Sequence, residues 1–370
     1  MRRVILALLL VPALAAAQTR PTTADVVRRV DSLAKAFVAA GSTPSIAIAI
    51  TRGGKTIVME AWGKSDIEQN VGATAQSVYE IGSATKQFTA AAVMQLVEQG
   101  KVKLDESLAT YVPTVPEAWR VATVRHLLNH TSGIPNYTAV AAWPKRWAEE
   151  MTADSLIAPT TTLPMDFAPG TKFSYDNQGY VLLGMIIERV TGKPWATDLK
   201  ERFTTPLGLS STRICDAAAI IPNRARGYDV KDGAVINAPY FGVSQAFSAG
   251  AICSTVGDLA RWNYALHTGK VVSAASYQMM TTPEGAAIAN RYGFGLTVDT
   301  IGGHKLIQHG GSIPGFATAN AWVAGEELSV TVLSNNLRGN PGQLSRQVMR
   351  AALGLPLVPS PSADGRGSPQ

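Results

Sequence analysis

Apolar residues recur at helical spacing from Asp25 to Ala39, with Val26, Val30, Leu33, Phe37 and Val38 on one side. That spacing predicts an amphipathic helix, ended by Gly41-Ser42-Thr43-Pro44. Ser45–Thr51 and Lys55–Trp62 then read as strands around Arg52-Gly53-Gly54, a hairpin signal. After a polar loop comes Tyr79-Glu80-Ile81-Gly82-Ser83-Ala84-Thr85-Lys86-Gln87-Phe88, followed by an alanine-rich run to Val97. It reads as the opening turn of a helix that is apolar on nearly every face, and such a helix belongs inside a domain. Gly100 is its expected C-cap.

Residues 114–285 read mainly helical, with Val124–Asn129, Gly179–Val190 and Ser254–His267 the clearest segments. From Tyr292 the period changes to two. Phe294–Val298, Lys305–His309, Thr318–Val323 and Leu328–Ser334 read as successive antiparallel strands, and Gln343–Leu353 as a closing helix. Strands therefore lie at both ends of the chain and helices fill the middle. The expected fold class is α+β: one antiparallel sheet built from both ends, flanked by the terminal helices, with a central, mostly helical domain beside it. The expected boundaries are 18–113 with 286–355 for the α/β part and 114–285 for the helical part. A cleft between the two is the natural place for a site.

Composition narrows the class. Hydrophobic residues make up 46% and charged residues 16% of the 370 residues, which suits a globular protein and not a disordered one. The tail from Pro356 to Gln370, rich in Pro, Ser and Gly, is expected to be flexible. Residues 1–17 have the form of a secretory signal: Arg2-Arg3, an apolar Val4–Val11 and a small-residue site at Ala15-Ala16-Ala17. That run is too short to span a bilayer, so export to the periplasm or medium, cleavage after Ala17 and no stable membrane anchor are expected. The net charge of +6 includes Arg2 and Arg3, and the remaining cations are scattered, so no nucleic-acid surface is expected. Cys215 and Cys253 are either a disulfide or two buried thiols. The two cysteines and five histidines show no metal-ligand pattern, and no cofactor is expected. A monomer acting on a small-molecule or peptidoglycan-like substrate is the expectation.

The candidate chemistry starts at Ser83 and Lys86, three apart and so facing each other across one turn. Desolvation lowers a lysine's pKa toward neutrality, and a neutral amine can take a serine's proton. The helix start adds partial positive charge and free N–H groups for an oxyanion. The spacing alone is weak, because Ser32-x-x-Lys35 repeats it on the solvated face of the first helix. A second element is Tyr175-Asp176-Asn177, just ahead of a helix. A phenol can relay a proton and an amide can hold a carbonyl; the alternative is a turn in which Asp176 or Asn177 caps the helix. A third is the strand Leu306–His309 ending in Gly310-Gly311-Ser312, where glycines permit close approach of a ligand to the edge. His126 and His130 are four apart, but without a glutamate after His126 a turn bracing the site is the better reading than zinc. Trp143 and Trp147, just after this turn, either line the mouth of a cleft or pack in the core, the second being the favoured reading, and Phe241 and Phe247 are similar cases. No Gly-x-Ser-x-Gly occurs, which argues against an α/β-hydrolase.

Taken together, Ser83-x-x-Lys86, Tyr175-x-Asn177 and His309-Gly310-Gly311 resemble, in order, the motifs of the penicillin-recognising serine hydrolases: class C β-lactamases, D-alanyl-D-alanine carboxypeptidases and related esterases. The resemblance runs from about residue 25 to 355. It implies that Ser83 attacks a carbonyl, Lys86 activates it and Tyr175 passes a proton to the leaving group. It also implies that Asn177 positions the substrate amide, that the backbone N–H groups of Ser83 and Ser312 form an oxyanion hole, and that water releases the acyl-enzyme. Lys86 and Tyr175 both remain candidates for the deacylation base. Where class C β-lactamases have Lys-Thr-Gly, this chain has His309-Gly310-Gly311. The missing lysine removes a fixed charge for a carboxylate, unless His309 is protonated or Arg291 substitutes. The expected function is a secreted acyl-enzyme hydrolase of esters, D-amino-acid peptides or β-lactams; the alternative is a penicillin-binding sensor that deacylates slowly.

Overall fold

The computed structural model describes residues 20–41 and 43–358. The leader expected at 1–17, and residues 359–370 of the tail expected at 356–370, lie outside the described residues. Twelve strands occur among them: β1 (Ser45–Arg52), β2 (Lys55–Asp66), β3 (Val71–Gly72), β4 (Tyr79–Glu80), β5 (Arg213–Ile214), β6 (Tyr228–Lys231), β7 (Ala234–Asn237), β8 (Ile252–Ser254), β9 (Thr297–Ile301), β10 (His304–Ile313), β11 (Phe316–Val323) and β12 (Leu328–Ser334). Seven form one antiparallel sheet in the order β3-β2-β1-β12-β11-β10-β9. The first hairpin and the last strands thus meet at the β1–β12 pair, where Ile48 lies opposite Val332. This is the mixed α/β arrangement expected from the two ends of the chain.

The two faces of the sheet explain its continuous apolar strands. Along β1, Ile46, Ile48 and Ile50 point to one side and pack with Val26, Val30, Leu344 and Val348 of the terminal helices, Thr23–Ala39 and Pro341–Leu353. Ala47 and Ala49 point to the other side and join the core around Phe88 and Val93. A sheet buried on both faces reads as an apolar run instead of an alternation, and the alanines let a helix come close. Truncating a wholly buried residue such as Ile48 to alanine would cost about 2–5 kcal/mol.

The central helix, Lys86–Glu98, is buried from Lys86 through Met94 and again at Leu96. A second helix on this face comes from the middle of the chain. Val256–His267 is capped by Thr255, whose side chain accepts from Asp258 N–H. It is held to β11 and β12 by Asn263, whose amide donates to Asn320 at 2.8 Å and to Ser329 at 2.9 Å. Asn177–Thr191 packs behind the central helix and ends at Gly192, φ 68°.

Three expectations need correction. The strand expected at Phe294–Val298 begins at Thr297, because Gly295 takes φ 69°, outside the extended range a strand needs. The polar loop after the first hairpin is partly strand: β2 continues to Asp66 and pairs with β3. The helical middle also contains β5 to β8, too short to show a period. Cys215 and Cys253 are both buried free thiols, in or beside the neighbouring strands β5 and β8. No described helix is long and apolar enough to cross a membrane.

Candidate active site

Ser83 does not sit in an α-helical turn. Gly82–Thr85 form a 3₁₀ turn that runs into the central helix at Lys86. In a 3₁₀ turn residues i and i+3 eclipse, which brings the Ser83 and Lys86 side chains together more directly than an α-turn. Two glycines let this turn press against β10. Gly82 has φ +50°, and a Cβ there would meet Ser312 N at 2.9 Å; a Cβ on Gly311 would lie 1.9 Å from Ile81 O. Gly311, which closes the third motif, is therefore required by the backbone of the first. Pairing with β9 stops at Gln308, so from His309 onward β10 has β11 on one side and the Ser83 turn on the other.

Lys86 has no exposed surface. Its Nζ lies 3.2 Å from Ser83 Oγ, 2.7 Å from Asn177 Oδ1 and 2.9 Å from Ala249 O. It also faces the rings of Tyr175 and Tyr180, 4.9 and 5.3 Å from their centroids. Burial lowers its pKa to about 7, against the opposing pull of Asp176. The two non-serine partners can only accept. A neutral amine has two N–H donors, and those two acceptors use both. Its lone pair is left facing the Ser83 hydroxyl, which is the arrangement a general base requires.

Asp176 and Asn177 divide the roles between them. The Asp176 carboxylate caps the Asn177–Thr191 helix, accepting from Gln178 N–H at 2.7 Å and Gly179 N–H at 2.9 Å. Burial pushes its pKa up to about 7, although those two N–H groups and Lys86 oppose the shift. Asn177, freed from capping, turns its carbonyl to Lys86. Tyr175 keeps 38% of its surface exposed, but its hydroxyl end is the enclosed part and meets Ser83. Burial of that end holds the phenol well above its usual pKa, with Ser83 pulling the other way. Tyr175 is accordingly a neutral donor at pH 7.

The turn at His126–Gly133 braces this loop. His130, at φ +60°, accepts from Asp176 N–H through Nδ1 at 3.1 Å, and its carbonyl accepts from Ser174 N–H at 3.0 Å. Its ring packs 4.3 Å from Tyr175 and 4.6 Å from Tyr292. His126 closes a capping box with Thr123.

His309 is buried and neutral. Gly310 O can only accept, so His309 Nδ1 donates to it at 2.6 Å, leaving Nε2 to accept from the Tyr292 hydroxyl at 2.9 Å. Burial, helped by Lys86, lowers its pKa to about 4. Arg291 is paired with Asp299, which also holds Arg346. Neither group offers the third motif a free positive charge.

Against Ser83 lies a cavity of about 80 Å³ whose walls include Asn177, Ser312, Tyr137, Trp143, Phe241 and Gln245. Trp143 and Phe241, for which core packing is the favoured expectation, border the site. Phe247 instead packs on Trp195. The structure brings Ser83, Lys86, Tyr175, Asn177 and the His309–Ser312 strand end into one cleft. Sequence reasoning did not single out Ala249 O as a partner of Lys86, because a backbone carbonyl leaves no side-chain signal. Tyr292 and Gln245 carried no local signal.

Residues 30–354 match the family model described as Beta-lactamase. The chain belongs to the beta-lactamase family. Within that family it is 29% identical over 321 residues to a D-aminopeptidase of Brucella ovis, covering 85% of this chain and 60% of the relative. The chain therefore spans about 60% of the length of the curated relatives it matches. Among solved structures, a D-amino acid amidase from Ochrobactrum anthropi SV3 superposes with TM-score 0.78 at 26% identity, over 88% of this chain and 98% of that one. An octameric penicillin-binding protein homologue from Pyrococcus abyssi superposes with TM-score 0.78 at 28% identity, over 89% and 78%. These likenesses agree with the β-lactamase/transpeptidase-like fold.

Proposed function

We propose that the chain is a serine hydrolase that forms an acyl-enzyme through Ser83, with Lys86 as its base. The observation that carries this reading is the placement of Lys86 Nζ, wholly buried between Ser83 Oγ and two groups that can only accept. Ser83 Oγ attacks the substrate carbonyl carbon, and its proton passes to Lys86. The carbonyl oxygen becomes an oxyanion held by the backbone N–H groups of Ser83 and Ser312. As the C–N or C–O bond breaks, the leaving atom takes the Tyr175 proton, which Lys86 restores. Water, activated by Lys86, then attacks the ester carbon and returns Ser83. Because Tyr175 is held neutral, Lys86 is the better deacylation base.

The substrate reading follows from charge. A β-lactam or a C-terminal D-peptide presents a carboxylate near the scissile bond, and such a group wants a fixed cation. Neutral His309 and engaged Arg291 do not supply one. Amides and esters without that carboxylate fit better. The likeness to a D-aminopeptidase and a D-amino acid amidase supports amides and peptides of D-amino acids. Export through the leader at residues 1–17 belongs to this proposal and is tested by cell fractionation.

The test offers the protein a D-amino-acid amide, a p-nitrophenyl ester, a D-Ala-D-Ala peptide and a chromogenic cephalosporin, and follows turnover and intact mass. Turnover of the first two above the last two is expected. Neither turnover nor a mass increase with any of them would overturn the acyl-enzyme. A lasting adduct without turnover would make the chain a sensor.

A further inference from the structure

A second cavity lies beyond the first. It has about 170 Å³ and is walled by Val140, Ala142, Met151, Leu156 and Pro159, and it shares Tyr137 and Trp143 with the cavity at Ser83. The shared walls are fixed. Tyr137 donates its hydroxyl to Gln245 O at 2.6 Å, and Trp143 Nε1 donates to Gln245 Oε1 at 3.0 Å. The buried Gln245 amide in turn donates to Arg146 O and Glu149 O, each at 2.7 Å. The one charged wall residue, Arg146, has its guanidinium tied to Glu149 at 2.8 and 2.9 Å. The space is therefore apolar, without a free charge, and adjacent to the cavity at Ser83, with Tyr137 and Trp143 as the shared wall.

We infer that this second cavity is a binding site for the apolar tail of the substrate's acyl group, reached past Trp143 from Ser83. The inference rests on the acyl-enzyme reading. The acyl side is chosen because the cavity at Ser83 is lined by Asn177 and Ser312 and not by Tyr175 or His309. In that reading Tyr175 marks the leaving-group side. An apolar cavity of about 150 Å³ holds a benzene-sized molecule, so this one takes a chain of about six carbons beyond the carbonyl. The preferred substrates are thus amides and esters of medium-length or aromatic acyl groups. Transfer of each buried methylene favours binding by about fourfold.

Two measurements test the site. In the first, kcat/KM is measured for p-nitrophenyl esters from acetate to octanoate. It should rise with chain length, and Ala142→Phe, a change at an exposed wall position, should lower the octanoate-to-acetate ratio at least tenfold. In the second, 1-butanol and 1-octanol are titrated into Ser83→Ala protein. Octanol should bind tenfold or more tightly than butanol, and Ala142→Phe should remove that difference. A ratio unaffected by Ala142→Phe, or equal affinity for the two alcohols, overturns the inference. If no ester is turned over, acyl transfer fails as a function while the alcohol titration still decides whether the cavity takes a chain.

Discussion

Ser32 and Lys35 lie on the outer face of the first helix, where both are exposed and Lys35 pairs with Asp31 at 2.8 Å. Ser83 and Lys86 have the same spacing, but Lys86 is sealed and its amine touches the serine. Water solvates the first lysine, and a neighbouring carboxylate pairs with it. Burial has removed water from the second, and its remaining acceptors satisfy only a neutral amine's two donors. The difference is environmental. Three residues of spacing bring two side chains together, but the lowered pKa that makes one a base comes from burial of its amine. Replacing Ser83 by Ala should therefore lower kcat by on the order of 10⁴-fold or more, measured on whichever ester or amide is turned over. An active Ser83→Ala protein would erase the contrast between the two pairs.

The next largest effect separates Tyr175 from the base. Tyr175→Phe keeps the ring against His130 and removes only the hydroxyl. A loss of about 10²–10⁴-fold in kcat is expected for a missing proton donor. It should be smaller for p-nitrophenyl esters, whose leaving group needs no proton, than for amides. An equal loss on both would assign Tyr175 a different task.

The pH profile sharpens the comparison further. Lys86 works as a neutral amine, and its pKa lies near 7. Below that value kcat/KM should fall about tenfold per pH unit, and above it the rate should level off. Tyr175 stays protonated well past the usual phenol range, so it adds no falling limb below pH 10. Asp176→Asn should shift the rising limb to lower pH, because the carboxylate's charge is what opposes burial at Lys86. An asparagine still caps a helix, so thermal stability should change by only about 1 kcal/mol. A limb that stays in place would detach Asp176 from Lys86.

Much of the frame was legible because periodicity reports burial. The hairpin at Gly53-Gly54 and the helices at Thr23–Ala39 and Asn177–Thr191 follow from patterns that water imposes on long elements. Strands of two or three residues, such as β5 and β8, have no period to read. The candidate site was legible where it depends on side-chain identity, as at Ser83, Lys86 and Tyr175. It was illegible where backbone atoms act. Ala249 contributes a carbonyl, which any residue would supply, and the neutral state of His309 depends on Gly310 O and on Tyr292, seventeen positions away. Gly311 was visible as a glycine, but its reason, the Ile81 carbonyl against it, belongs to a contact between distant segments.

The smallest effect is the control that the comparison needs. Ser32→Ala with Lys35→Ala removes the other copy entirely. Lys35 and Asp31 form an exposed i,i+4 pair, and such pairs contribute roughly 0.3–0.5 kcal/mol. Alanine is also the better helix former at both positions, which offsets part of the loss. The double variant should therefore unfold within about 0.5 kcal/mol of the parent in urea and keep its kcat and pH profile. Lys86 should titrate near neutrality in the parent and in the double variant alike when its ε-carbon is followed by NMR. A Lys86 titration that moved in the double variant would tie the buried pair to the exposed one, and one that stayed in place would leave its surroundings as the whole of the difference.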